Sequence, residues 1–302
     1  MDRRTFLLGT LVLAGCAQAR PEAAGSASVP SPSQGATAPA AVPISGSAGT
    51  ASSPIVGSDQ TASGVMLAAL LTGAVTATTA ALGADWRARL GDGTTSVAPI
   101  YAGTAWADLS QSDEPSDDVV GDLAGLVQPD IAIMAAGKLD GALAWMAPAT
   151  SSLTSLDQVA KRAAGKAIAV PSLAVERADG LPGLSVIYRA KLSRLVEDDP
   201  VARAALIASG KAAFGAFRRT EYLGTDQFRE LSDPSGMVTP DPVVLAVNAT
   251  FADADPNAVL ALNAVLQALT DADLVDLQRQ AAGGSPAAEV ARSWLAAKGL
   301  VK

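Results

Sequence analysis

The sequence predicts an α/β fold with helices covering both faces of its sheets, and three observations predict it. Short apolar, strand-like runs alternate with helical segments from residue 54 onward. That alternation breaks into two sets, which predicts two lobes. The chain has 302 residues, of which 49% are hydrophobic, so one large or two medium cores can be buried.

Taken in order, Ile55-Val56-Gly57-Ser58 reads as a short strand ending in a turn. Ser63 to Leu82 reads as a buried helix closed by Gly83. Its threonines, at 72, 76, 78 and 79, make it a poor membrane span. Residues 111–118 form an acidic, polar stretch. Ile131 to Met134 and Gly141 to Met146 read as strands, and Ser155 to Ala164 as a helix capped by Ser155. Ala167 to Val170 is an apolar strand, followed by helices over Leu184 to Val196 and Pro200 to Ala208. Strands follow at Ala213 to Phe217, Phe228 to Ser232 and Pro242 to Val247. Three helices close the chain, over Pro256 to Leu269, Asp271 to Ala281 and Ser285 to Ala297, with Asp271 and Ser285 as expected caps. Alternation of this kind predicts parallel sheets.

The first sixteen residues are read apart from the fold. Arg3 and Arg4 precede an apolar run from Phe6 to Ala14, too short to span a bilayer, which takes about 20 residues. The pattern is that of an export leader. Its end, Leu13-Ala14-Gly15-Cys16, resembles a bacterial lipobox, in which the thiol takes the lipid and small residues fit the signal peptidase. Cys16 is the single cysteine of the chain, so no internal disulfide is expected. Arg3-Arg4-Thr5-Phe6-Leu7 is compatible with either the twin-arginine or the general export route. Residues 17–53 are mostly Ala, Ser, Pro, Gly and Thr, a composition with little to bury, and are expected to be a disordered tether. The expected location is the extracytoplasmic face of the cell membrane, through that lipid.

Composition also excludes chemistry. The net charge is −8 and there is no histidine. An acidic chain is a poor partner for nucleic acid, whose phosphates need clustered Lys and Arg. Without histidine the commonest general base and metal ligand is missing, and with Cys16 lipidated there is no thiol nucleophile. The acid pairs Asp117-Asp118 and Asp198-Asp199 lie on polar segments and read as solvated faces. Ser209-Gly210-Lys211 lacks the glycine spacing and the hydroxyl of a phosphate loop. No enzyme, cofactor or metal is expected.

Several segments, in order, resemble the substrate-binding subunits of osmoprotectant ABC importers, the glycine betaine/choline/carnitine-binding family. The anchors are Val56-Gly57-Ser58, then Tyr101-Ala102-Gly103-Thr104-Ala105, then Glu176-Arg177-Ala178-Asp179-Gly180-Leu181-Pro182-Gly183-Leu184 followed by Tyr188. The resemblance implies a type II periplasmic binding-protein fold: two α/β lobes, a two-pass hinge and a cleft between them. Lobe one is expected over 54–148 and 241–302, and lobe two over 149–240. It further implies a small solute as ligand, an ABC permease and ATPase as partners, and ligand contacts at Ser58, Asp59, Tyr101, Thr104, Trp106 and Phe217; Arg218, beside Phe217, is added as a contact that favours an anionic or zwitterionic ligand. The family holds a quaternary ammonium on aromatic ring faces, since such a cation has no N–H to donate. Tyr101 and Phe217 match two cage positions. The chain departs from the pattern where the family has an Asn-Thr-Tyr strand, between Pro148 and Ser155, and near Pro240-Asp241-Pro242, where the family has another tyrosine. Two readings follow: a membrane-tethered solute-binding subunit of an ABC importer for a glycine betaine/choline-like osmoprotectant, or an envelope lipoprotein that keeps the fold as scaffold or sensor.

Overall fold

The computed structural model describes residues 53–112 and 116–301. Cys16, the leader and the tether up to residue 52 lie outside the described residues. Among the described residues ten strands form two five-stranded sheets. They are β1 (Ile55–Ser58), β2 (Thr78–Ala81), β3 (Val97–Tyr101), β4 (Ile131–Ile133), β5 (Leu143–Pro148), β6 (Ala167–Val170), β7 (Ser193–Val196), β8 (Gly215–Arg218), β9 (Phe228–Glu230) and β10 (Val243–Asn248). The first sheet runs β2-β1-β3-β10-β4 and the second β7-β6-β8-β5-β9. This is the two-lobed α/β architecture read from the sequence.

The expectation of purely parallel sheets is corrected in one respect. β10 runs antiparallel to β3 and β4, and β5 runs antiparallel to β8 and β9. These are the first strands after each crossing between lobes, so each enters its sheet from the hinge, against the direction of the other strands. The two crossings pair with each other. Asp140 and Pro242 form an antiparallel bridge, and the Gly141 N–H donates to the Asp241 carbonyl at 2.8 Å. The Asp140 carboxylate accepts from the backbone N–H groups of Ala142 and Asp241 at 3.0 and 2.8 Å. The crossing therefore falls at Asp140–Ala142, not at residue 148. β5, expected in lobe one, belongs to the second sheet because its register is set by β8 and β9.

Each sheet is buried on both faces. All six residues of β10 are buried. Val243, Leu245 and Val247 pack on the helices Ala62–Ala74, Pro256–Ala268, Asp271–Ala282 and Ala287–Ala297. Val244 and Ala246 pack on the opposite side with Leu90, Leu123 and Val127. In the second sheet Trp145, Ile168, Val170, Phe214 and Ala216 form one core, and Ala169, Ala204, Ile207 and Phe217 the other. The near-continuous apolar runs read as strands are what a sheet covered on both faces requires.

Several element boundaries differ from the sequence reading. The helix expected over 63–82 ends at Ala74, and Thr78–Ala81 is the edge strand β2. Val75, Thr76, Thr78 and Thr79 are β-branched and favour extended backbone, and pairing with β1 captures it. The helix expected over Leu184 to Val196 is Leu181–Val186, and Ser193–Val196 is β7 beside β6. The Tyr101–Ala105 motif spans the end of β3 and the start of a helix over Ala102–Ser110. Thr270 caps the helix Asp271–Ala282 through a capping box with Asp273, so Asp271 is inside the helix. Pro286 occupies the cap expected at Ser285. No single helix among the described residues is long and apolar enough to cross a membrane.

Candidate functional site

The site is built where the second lobe meets the first at the hinge. Tyr101 ends β3, and Thr104 lies in the first turn of the helix Ala102–Ser110. Asp241, fully buried, sits at the returning hinge crossing and turns its carboxylate onto that helix N-terminus. Its Oδ1 accepts the Thr104 N–H at 3.0 Å and its Oδ2 accepts the Thr104 hydroxyl at 2.6 Å. A carboxylate there meets free N–H groups and the positive end of the helix dipole. Two glycines permit the approach. A side chain on Gly103 would stand 2.9 Å from Asp241 Oδ1, and one on Gly141 would overlap the Tyr101 ring.

Two arginines of lobe two reach this carboxylate. Arg218, at the end of β8, donates to Asp241 Oδ2 at 2.8 Å, to the Gly141 carbonyl at 2.9 Å and to Thr104 Oγ1 at 2.9 Å. Arg177 donates to Thr104 Oγ1 at 2.7 Å and to Asp241 Oδ2 at 3.1 Å. Its remaining nitrogens grip Asp179 through two bonds of 2.8 and 2.9 Å, a planar fork on a carboxylate. The lobes are tied again beside this point. The Tyr101 hydroxyl shares a 2.9 Å hydrogen bond with the Thr220 hydroxyl, and the Thr220 carbonyl accepts from Ser63 Oγ and Gln278 Nε2.

Burial and charge shift the acids and bases. Burial opposes ionisation of Asp241, but Arg218 and Arg177 outweigh it and hold the carboxyl below the usual range. Burial likewise opposes the charge on Arg177, yet Asp179 and Asp241 raise its basicity. Burial pushes the Tyr101 phenol up to about 12, with Arg218 and Thr220 offsetting part of the effect and Asp59 and Glu221 adding to it. The phenol therefore stays protonated at physiological pH. Among the described residues no group of three His, Cys, Asp or Glu is placed to hold a metal ion.

The residues expected at the ligand divide into three groups. Tyr101, Thr104 and Arg218 converge at the junction of the lobes. Ser58 and Asp59 hold the turn before the helix Ala62–Ala74: Ser58 Oγ accepts the Gln60 N–H, and Asp59 Oδ1 accepts the backbone and hydroxyl of Thr61. Trp106 and Phe217 lie elsewhere. Trp106 packs against the first lobe's core with Leu109 and Val119. Phe217 is 1% exposed and packs toward the helix Pro200–Ala208, its ring covered by Arg203 at 4.6 Å and beside Phe228 at 6.5 Å. Alternation along β8 explains this, because neighbouring residues face opposite sides of a strand. Phe217 points to the helix, and Arg218 to Tyr101, Thr104 and Asp241. Arg177, Asp179 and Asp241 were missing from the expected set. The signals for them were an Arg-x-Asp pair inside the most distinctive motif, and a lone acid between Pro240 and Pro242 ahead of an unbroken apolar strand.

The fold is shared with solved binding proteins. Apo YehZ from Escherichia coli matches with a TM-score of 0.64 at 19% identity, over 83% of this chain and 100% of that one. A glycine betaine/carnitine/choline ABC transporter protein matches with a TM-score of 0.69 at 14% identity, over 82% and 99%. Lactococcal OpuAC, in a closed form complexed with glycine betaine, matches with a TM-score of 0.62 at 16% identity, over 82% and 96%. No curated protein matches the chain by sequence. The family described as the substrate binding domain of ABC-type glycine betaine transport system matches residues 56–297. With that match spanning both lobes and the hinge, the chain belongs to the family of substrate-binding domains of ABC-type glycine betaine transport systems.

Proposed function

We propose that this protein is the solute-binding subunit of an ABC importer, held at the outer face of the cell membrane by lipid on Cys16. Its ligand is a small quaternary ammonium solute of the glycine betaine class, bound in the cleft where Tyr101, Thr104 and Arg218 meet. The observation that carries this reading is the Tyr101 ring. It sits at the junction of the lobes, and its face presents itself to a cation: Arg218 stands 3.8 Å above its centroid. A cation lacking N–H groups needs such a face.

Thermal-shift measurement tests the ligand. A compound present at a hundred times its Kd stabilises the folded state by about 2.7 kcal/mol. For a chain of this size the melting temperature should then rise by about 5–10 °C with glycine betaine, carnitine or choline. No rise with any of them removes the quaternary ammonium assignment. The anchor is tested separately. Cys16→Ser should release the protein from the membrane fraction of the native cell and abolish incorporation of labelled fatty acid. A membrane-bound Cys16→Ser protein refutes the lipid anchor and leaves the ligand assignment standing.

A further inference from the structure

Lobe two holds a cavity of its own, of about 240 Å³, room for roughly eight waters. It lies between the second sheet, at Leu143, Trp145 and Leu231, and the returning chain at Val238 and Thr239. Tyr101, Thr104, Arg177, Arg218 and Asp241 are absent from its wall, so it is separate from the site at the junction of the lobes. Trp145 is 1% exposed, and its indole N–H has no acceptor among the described residues. Buried donors nearly always have a partner, so this one needs an explanation. Away from the cavity the ring meets apolar neighbours: the Phe214 ring at 5.9 Å, and Ala216, opposite it on β8. The cavity is the side from which an acceptor can reach the N–H. The wall is also acidic. Asp140, Glu230 and Asp233 carry three negative charges against the single positive charge of Arg219. Arg219 donates to Asp140 Oδ2 at 3.1 Å and to Glu230 Oε1 at 2.8 Å, which leaves Glu230 Oε2 without a partner among the described residues. Asp271 adds to the negative field beside Asp140, whose N–H it accepts at 2.9 Å.

We propose that this cavity is a second binding site, for a small primary ammonium compound that also carries a hydroxyl, such as an amino alcohol or an amino sugar. The excess of carboxylates attracts a cation and repels a ligand carboxylate. A primary ammonium brings three N–H donors, and Glu230 can accept one of them in a charge-assisted hydrogen bond. A hydroxyl oxygen is a neutral acceptor, so it can take the Trp145 N–H without adding negative charge to an acidic wall. One molecule thus meets both the buried donor and the free carboxylate oxygen. Glycine betaine is mismatched on both counts, because it has a carboxylate and no N–H.

The indole N–H resonance of Trp145 reads the site directly. The chain has four tryptophans, and the indole peak missing from Trp145→Phe assigns it. Titrating the full-length, nitrogen-15-labelled protein with glucosamine should move that peak downfield, as the N–H gains an acceptor, along a one-site curve. Glucose has the same ring of hydroxyls without the ammonium, and should bind at least about tenfold more weakly. Glu230→Gln, at a half-exposed position, should weaken glucosamine by about tenfold or more, as expected for losing a hydrogen bond to a charged group. The response should persist in Tyr101→Ala. A Trp145 peak that glucosamine leaves in place overturns the proposal. So does equal binding of glucose, or a folded Glu230→Gln protein of unchanged affinity. A response lost in a folded Tyr101→Ala protein would put the compound at the junction of the lobes and overturn it too.

Discussion

Asp241→Asn should destabilise the folded protein by about 3–5 kcal/mol, the usual consequence of removing one partner from a buried ion pair. The melting temperature should drop by on the order of 10 °C. Asp241 is fully buried and accepts from Thr104, Arg177 and Arg218. Arg177 keeps Asp179, so its charge stays matched. Arg218 keeps only the Gly141 carbonyl and the Thr104 hydroxyl, so its charge remains buried without a counterion. The amide preserves the shape of the carboxylate, which separates the charge effect from any cavity. The pH dependence has a definite sign. The folded-state pKa of Asp241 is depressed, so its contribution is complete above the ordinary carboxylate pKa, about 3.9. It is lost as pH falls through the lower, folded value. The stability gap between wild type and Asp241→Asn should therefore be constant from neutrality down to about pH 4 and shrink below it. Glu221, whose pKa burial raises, contributes in the opposite direction, but it keeps Arg203 in both proteins and cancels in the comparison. Urea melts at a series of pH values measure the gap. A gap that is already absent at pH 7 would show that the carboxylate charge does not hold the lobes.

The strands were legible because burial on both faces leaves no freedom in composition. β10 is apolar at every position but its last, Asn248, and could be read as a strand from its residues alone. The glycine-and-proline block at 180–184 was legible as a motif, but the helix was expected from Leu184 and begins three residues earlier. Leu181-Pro182 opens a helix that Gly180 precedes, and Pro in the first turn lacks only an N–H that the helix would leave unpaired. The edge strands β2 and β7 were not legible. They are short and largely exposed, so they carry no periodic apolar stripe, and pairing with β1 and β6 alone decides their state. The lobe boundary was misplaced for a similar reason. β5 reads the same whichever sheet takes it, and only the pairing of Asp140 with Pro242 places the crossing before it.

The site was half legible. Tyr101 and Thr104 announce themselves through the Tyr-Ala-Gly-Thr motif, where Gly103 must let Asp241 approach. Arg218 was expected as a ligand contact alongside its neighbour Phe217. The register of β8 reverses their roles, since a shift of one residue moves a side chain to the other face of the sheet. Asp241 and Arg177 were hidden because their importance comes from meeting across 64 residues of chain, which no local pattern records.

Phe217→Ala decides between the two faces of that strand. A buried phenylalanine cut to alanine loses its transfer energy and leaves a cavity, together about 3–5 kcal/mol. The loss should fall near the top of that range here, because the ring also carries the Arg203 guanidinium at 4.6 Å. Arg203 is fully buried and keeps Glu221 as its counterion, so its own charge remains matched and the cavity is the principal cost. The ring packs on the face of β8 opposite the Arg218 guanidinium. The rise in melting temperature produced by a saturating quaternary ammonium ligand should therefore match that of the wild type, superimposed on a lower starting value. A cage residue behaves in the opposite way: its loss removes the ligand response, whatever it costs in stability. A folded Phe217→Ala protein that no longer responds to a ligand the wild type binds would place the ring in the site after all. The same thermal-shift series on Tyr101→Ala gives the contrasting outcome, loss of the response, because that ring faces the junction of the lobes.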